Sequence, residues 1–139
     1  MNCATNTIFT WPVRIYYEDT DSGGVVYYAN YLKFMERARS EWLRAFGVEQ
    51  DVLRDETGVV FVVRRVEIDY RSPARFNERL EVSVRLHEMG RASLGVRQEL
   101  MRGSARLAEA VVTLACIDAI RFKPVKIPEP ILQALAPAT

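Results

Sequence analysis

Histidine and cysteine are scarce in this chain: His87 is the one histidine, and Cys3 and Cys116 are the two cysteines among 139 residues. So small a set cannot assemble a zinc site of ordinary ligand number and spacing. There is no Gly-x-Ser-x-Gly turn, and Ser22 has no histidine near it in sequence, which argues against a Ser-His-Asp hydrolase. The cysteines stand far apart, one near the terminus and one in an apolar run, and read as free thiols of a reducing compartment. An excess of either charge is missing too, with 19 basic residues against 18 acidic ones. A net charge of +1 supplies no field for a polynucleotide, so no nucleic-acid partner is expected. No apolar run approaches the roughly 20 residues that span a bilayer, so no transmembrane segment is expected. Met1 to Pro12 lacks a basic stretch followed by an apolar one, and the expected location is cytoplasmic.

What is present suits one compact domain over residues 1–139, with its core at about 11–128. The hydrophobic content, 49%, is enough for a substantial core. Val13, Ile15 and Tyr17 alternate with Arg14, Tyr16 and Glu18, which predicts a first strand. Asp19-Thr20-Asp21-Ser22-Gly23-Gly24 then breaks the pattern as a loop. A long helix follows. Tyr31, Leu32, Phe34, Met35, Ala38, Trp42, Leu43, Ala45 and Phe46 mostly share one stripe, with Lys33, Arg37, Ser40, Glu41 and Arg44 opposite. Carried backwards, the same wheel puts Tyr27 and Tyr28 near the stripe, and Gly47 is placed to end the helix.

A shorter helical stretch covers Gln50 to Glu56, after which the chain is β-like. Val59 to Val63 is apolar throughout and suits a strand buried on both faces, and Val66, Ile68 and Tyr70 continue it with alternation. Leu80 to Met89, Ala92 to Met101 and Ala105 to Ile120 read as three more strands joined by glycine turns. The layout is α+β: an antiparallel sheet around one large helix. One helix cannot cover both faces of that sheet, so an oligomer is expected.

The chemistry concentrates before the helix, where three acids (Glu18, Asp19 and Asp21) precede Gly23-Gly24 and the helix start. Thioester hydrolysis needs few parts, because the leaving thiol, with a pKa near 8.5, departs without a strong acid. A carboxylate can attack the carbonyl or activate a water, and amides at a helix N-terminus can bind the developing oxyanion. The same residues also permit a purely local reading, in which Asp caps or makes an Asx turn and glycine allows a tight bend. From the residues alone the local reading leads. An EF-hand loop is excluded, because its fifth position would be Gly23 and its twelfth Asn30, leaving no bidentate ligand.

The segment Val13 to Glu36, above all Thr20-Asp21-Ser22-Gly23-Gly24-Val25-Val26-Tyr27, resembles the 4-hydroxybenzoyl-CoA thioesterase family. Within that family it is most similar to the acyl-CoA thioesterases associated with the Tol–Pal envelope system. Phe61 to Arg65 and Tyr70 to Arg75 carry the same resemblance, which extends from about Trp11 to Pro128. It implies a hot-dog fold, in which a five-stranded antiparallel sheet wraps one long helix, and a homodimer or homotetramer with its site between subunits. It implies hydrolysis of an acyl- or aryl-CoA thioester without metal or bound cofactor, acyl carrier protein being the alternative acyl donor. The catalytic aspartate of the family falls on Asp21, as nucleophile or general base, and its oxyanion amide falls on Tyr28. Histidine is usual at that second position in the Tol–Pal group, and tyrosine in the hydroxybenzoyl branch. Gly24, Arg64, Arg65 and Arg71 are candidates for holding substrate, with Arg75 and Arg91 as further cations for phosphate. A non-catalytic acyl-binding module and a hydroxyacyl dehydratase are the rivals; the second would want a histidine beside the acid.

Overall fold

The computed structural model describes residues 8–135. Its strands are β1 (Phe9–Arg14), β2 (Val59–Tyr70), β3 (Arg79–Met89), β4 (Ser93–Arg102) and β5 (Ala105–Asp118), and its helices are α1 (Asn30–Ala45), α2 (Gln50–Thr57) and α3 (Glu129–Leu135). The strands form one five-stranded sheet in the order β1-β3-β4-β5-β2, antiparallel at every pairing. The expected α+β arrangement is therefore present.

The apolar stripe of α1 is the centre of the core. Phe34, Met35, Ala38, Trp42 and Leu43 are each at most 2% exposed, and they join one buried cluster with Leu80, Val82, Val84, Leu94, Val96 and Leu100 of β3 and β4. Alternation along β3 and β4 puts those six side chains on the face that receives the helix. The helix ends as its sequence predicts. Gly47 takes a φ of +85°, its N–H bonds the Arg44 carbonyl, and the Val48 N–H bonds the Leu43 carbonyl, the double closure of a Schellman motif.

Two charged-or-polar residues lie inside this core where periodicity gave no sign of them. Arg39, on α1, is 8% exposed, and Gln98, in the middle of β4, is fully buried. Arg39 Nη1 donates to Gln98 Oε1 at 3.1 Å, and Gln98 Nε2 donates to the Met35 carbonyl at 3.0 Å. Burial lowers the Arg39 pKa from its ordinary value, an effect that Glu36 partly offsets.

Several sequence expectations are corrected. Tyr17 does not continue β1, which ends at Arg14; the ring is 76% exposed in a 3₁₀ turn, Tyr17–Asp19. Tyr27 and Tyr28 precede α1 and are exposed, so the wheel does not extend to them. β2 is an edge strand, not one buried on both faces, and Val62 and Val63 are 37% and 48% exposed. A bulge between Val63 and Arg65 shifts the pairing, so that Phe61 and Val63 before it, and Val66 and Ile68 after it, stand opposite buried residues of β5. A second bulge leaves His87 unpaired and exposed.

The outer face of the sheet is charged. It carries ion pairs Arg106–Glu99 (3.0 Å), Arg65–Glu67 (3.0 Å) and Arg71–Glu109. What remains open is the β2 edge. The other edge, β1, carries Pro12, which has no N–H to offer a further strand.

Two outcomes test this core. Gln98→Leu strands the Arg39 guanidinium and should destabilise the fold by about 2–4 kcal/mol in urea unfolding. Adding Arg39→Met to it should recover part of that loss. Burial pushes the Cys116 thiol up to about 11, so it carries no appreciable thiolate at pH 8. Cys3 lies outside the described residues, so the test uses Cys3→Ser: a thiol-reactive dye should label that variant at pH 8 only after denaturation.

Candidate active site

The segment between β1 and α1 is built almost wholly from backbone hydrogen bonds. Ile15 anchors its beginning, donating to the Glu78 carbonyl and accepting from the Asn77 N–H, both at 2.9 Å. In the 3₁₀ turn the Tyr16 N–H donates to Asp19 Oδ2 at 2.8 Å. Asp19 is thereby committed to holding the turn.

Asp21 stands at the corner of the next bend. Its N–H donates to the Val25 carbonyl at 2.8 Å, and its own carbonyl accepts the Gly24 N–H at 3.1 Å. Gly24 takes a φ of +81°, which is why glycine belongs there. Asp21 Oδ1 accepts the Gly23 N–H at 2.8 Å, an Asx turn. The local reading of this aspartate is therefore correct for one oxygen. Oδ2 has no hydrogen-bond partner and no cation pairs with the carboxylate among the described residues, and the side chain is exposed.

The returning arm leads to the helix. Val26 pairs with Thr20, and its N–H donates to the Ala74 carbonyl at 2.8 Å, while Val25 bridges to Arg75. The Tyr27 N–H returns to the Asp19 carbonyl at 3.0 Å. α1 begins with Ala29 in the N-cap position, and it has neither a side-chain cap nor an acid in its first turn. The Asn30, Tyr31 and Leu32 amides bond back to the carbonyls of residues 27, 28 and 29, but the Tyr28 and Ala29 amides take no partner among the described residues. Two free N–H groups at the positive end of a 16-residue helix make a ready anion site. The sequence signal for this is the absence of Ser, Thr, Asp or Asn at position 29.

Beside the helix start lies a cleft of about 260 Å³, lined by Val26, Tyr28, Tyr31, Tyr70, Arg71, Ser72 and Pro73. Tyr28 meets Tyr70 edge-on at 5.8 Å between ring centres, and Tyr31 lies 5.3 Å from Tyr70. Burial, with Tyr28 and Tyr31 alongside, pushes the Tyr70 phenol above its ordinary value. A larger hollow of about 500 Å³ opens on the outer sheet face; of its charged lining residues Glu67 and Glu109 are ion-paired, while Asp69 and Arg97 have no ion-pair partner among the described residues.

The candidate cations are not gathered at Asp21. Arg65 pairs with Glu67 and Arg71 with Glu109, while Arg64 sits at the β2 bulge. Arg91 is in the β3–β4 turn, at the far end of those strands from residues 75–79. Arg75 is the one that the backbone brings to the Asp21 bend, through its bridge to Val25, and its guanidinium has no carboxylate partner among the described residues. Sequence reasoning ranked it behind Arg64, Arg65 and Arg71.

The model of the thioesterase-like superfamily matches residues 16–135. The acyl-CoA thioesterase YbgC of Haemophilus influenzae is 44% identical over 126 residues, 91% of this chain and 93% of that protein. The acyl-CoA thioester hydrolase YbgC of Escherichia coli O6:H1 is 43% identical over 127 residues, 91% of this chain and 94% of that protein. A crystal structure of a 1,4-dihydroxy-2-naphthoyl-CoA thioesterase from Synechocystis superposes with a TM-score of 0.85 over 93% of this chain and 96% of its own, at 24% identity, a likeness of fold. The chain thus belongs to the thioesterase-like superfamily, and its sheet around α1 is the hot-dog fold of that family.

Proposed function

We propose that the protein hydrolyses acyl-CoA or aryl-CoA thioesters to the free acid and CoA, with Asp21 as the catalytic carboxylate. The observation that carries this reading is the pairing of two unsatisfied groups on one short segment. Asp21 Oδ2 and the Tyr28 amide lack partners among the described residues, as do the Ala29 amide and the Glu18 carboxylate, whereas the Asp19 carboxylate is bonded to the Tyr16 amide. A segment that satisfies so many polar groups and leaves these free is suited to a carbonyl in need of a base and a donor.

In this reading the thioester oxygen accepts the Tyr28 N–H, and the helix dipole adds to the stabilisation as negative charge develops. Asp21 either attacks the carbonyl carbon, expelling the thiolate of CoA and leaving an acyl-aspartyl anhydride that water hydrolyses to the free acid, or takes a proton from a water that attacks the carbonyl, after which the C–S bond breaks to release the thiolate of CoA. Oδ1 stays on the Gly23 amide, which keeps the carboxylate from turning away. Gly24 leaves the bend open, with nothing within 4 Å of where a Cβ would stand, so the acyl-CoA chain can pass close to the backbone. The acyl group enters the Tyr28–Tyr70 cleft. Arg75, and beyond it Arg64, Arg65 and Arg71, are the phosphate-holding candidates. Acyl carrier protein presents the same thioester and is the alternative donor.

We also propose a homodimer, or a homotetramer of two such dimers, formed through the open β2 edge. Twelve residues of unpaired edge with exposed Val62, Val63 and Tyr70 form a surface that a second copy of the same strand can cover.

Three outcomes test this. Asp21→Asn keeps an oxygen for the Gly23 amide, so the bend should persist while kcat falls by about 100-fold or more. Asp19→Asn should stay within a few-fold of wild type; equal losses in the two variants would contradict the assignment. Tyr28→Phe and Tyr28→His keep the main-chain N–H and should each cost less than about tenfold in kcat. A hundred-fold loss in Tyr28→Phe with an unchanged circular dichroism spectrum would give the role to the hydroxyl. Sedimentation should find no stable monomer at micromolar concentration, and a fully active monomer would contradict the β2-edge assembly.

A further inference from the structure

The helix start and the acid belong to different elements, yet the proposed chemistry requires them at a set separation. α1 has no N-cap side chain to tie its first turn to the preceding loop. One side chain makes that tie instead. Asn30 Nδ2 donates to the Asp19 carbonyl at 2.9 Å, and the Tyr27 N–H donates to the same oxygen at 3.0 Å. Asp19 lies two residues before Asp21, and its own carboxylate is held by the Tyr16 amide. Beside the Asp21–Val25 bond and the Thr20–Val26 pairing within the bend, the Asp19 carbonyl is therefore where a side chain of the helix's first turn fastens the arm that carries the acid.

Tyr31 reaches in another direction from the same turn. Its hydroxyl accepts the Ala74 N–H at 2.9 Å and lies 3.3 Å from the Ser72 carbonyl, to which it donates. Burial holds this phenol above its ordinary pKa, so it keeps the proton that Ser72 receives. Tyr31 thus secures the wall of the cleft, and Asn30 secures the acid.

We propose that Asn30 is a positioning residue for catalysis, setting the Asp21 carboxylate against the Tyr28 amide through the Asp19 carbonyl. This rests on the assignment of Asp21 as the catalytic acid. The side chain touches neither substrate nor the reacting atoms. Its loss should lower kcat and leave KM nearly unchanged, because substrate still enters the cleft but meets a misplaced carboxylate. A separation wrong by about 1 Å is worth on the order of 10–100-fold in rate.

The test is a double-mutant cycle on the whole protein, with kcat and KM measured by thiol release from an acyl-CoA well below the melting temperature. Asn30→Ala should lower kcat by about 10–100-fold with KM within about twofold. Asn30→Asp has the same shape without the donor and should match Asn30→Ala, so wild-type activity in Asn30→Asp would overturn the proposal. In the Asp21→Asn background Asn30→Ala should have little further effect, since there is no working carboxylate left to misplace. Independent, multiplying losses in that background would assign Asn30 to general stability and overturn the proposal. Tyr31→Phe loosens the same turn without touching the Asp19 carbonyl, so a fall in kcat equal to that of Asn30→Ala, with equal loss of melting temperature, would overturn it as well. If Asn30→Ala does not fold, the Asn30→Asp arm of the cycle decides by the same criteria. An active Asp21→Asn enzyme would instead remove the catalytic assignment itself, an outcome distinct from any of these.

Discussion

Burial of one stripe of α1 against β1, β3 and β4 determines where the helix begins, and the candidate site follows from that point. Phe34, Met35, Ala38, Trp42 and Leu43 cannot slide along the sheet without opening cavities in a tightly packed core. With the C-terminal end closed by the Gly47 motif, the first turn is held in register at the other end. Its free amides therefore stand at a defined place relative to the strand ends, and the segment from Ile15 to Asn30 has to fit the gap.

That segment reconciles two readings that look like competitors on paper. An aspartate before a Gly-Gly bend can be a turn former or a catalyst, and in the proposed reading Asp21 divides the roles between its two oxygens. Oδ1 holds the bend. The other remains available, and the bend that Oδ1 maintains is what keeps it aimed. Asp19, two residues away, spends its side chain on Tyr16 and its carbonyl on Tyr27 and Asn30. Identical side chains thus take different work because the backbone presents them differently.

Much of the fold was legible because burial here is one-sided, and one-sided burial leaves a period in the sequence. The α1 stripe, the alternation along β2 after residue 65 and the glycine at position 47 all followed from that. The failures have physical causes of their own. Alternation continued into Tyr17 although the backbone had turned, since a 3₁₀ turn of three residues is too short to mark a pattern. Val59 to Val63 looked like a central strand because its run is apolar at every position, although the strand lies at the sheet edge. The bulge at Arg64 left no such mark, because Val59 to Val63 is apolar at every position and has no parity to shift. The Arg39–Gln98 bond joins residues 59 apart in the chain and leaves no local trace at all. In the site, the acids and the glycine bend could be read directly, but which carboxylate is free could not, because backbone hydrogen bonds decide it.

The central claim is that an uncapped helix start polarises a thioester carbonyl held beside Asp21. The direct measurement is the infrared stretch of that carbonyl in an acyl-CoA, isotopically labelled at the thioester carbon and bound to the slow Asp21→Asn variant. Hydrogen bonding from the Tyr28 amide weakens the C=O bond, so the account predicts a band shifted to lower frequency than that of the free thioester in water. A bound thioester whose band stays at its solution frequency, or moves higher, would contradict it.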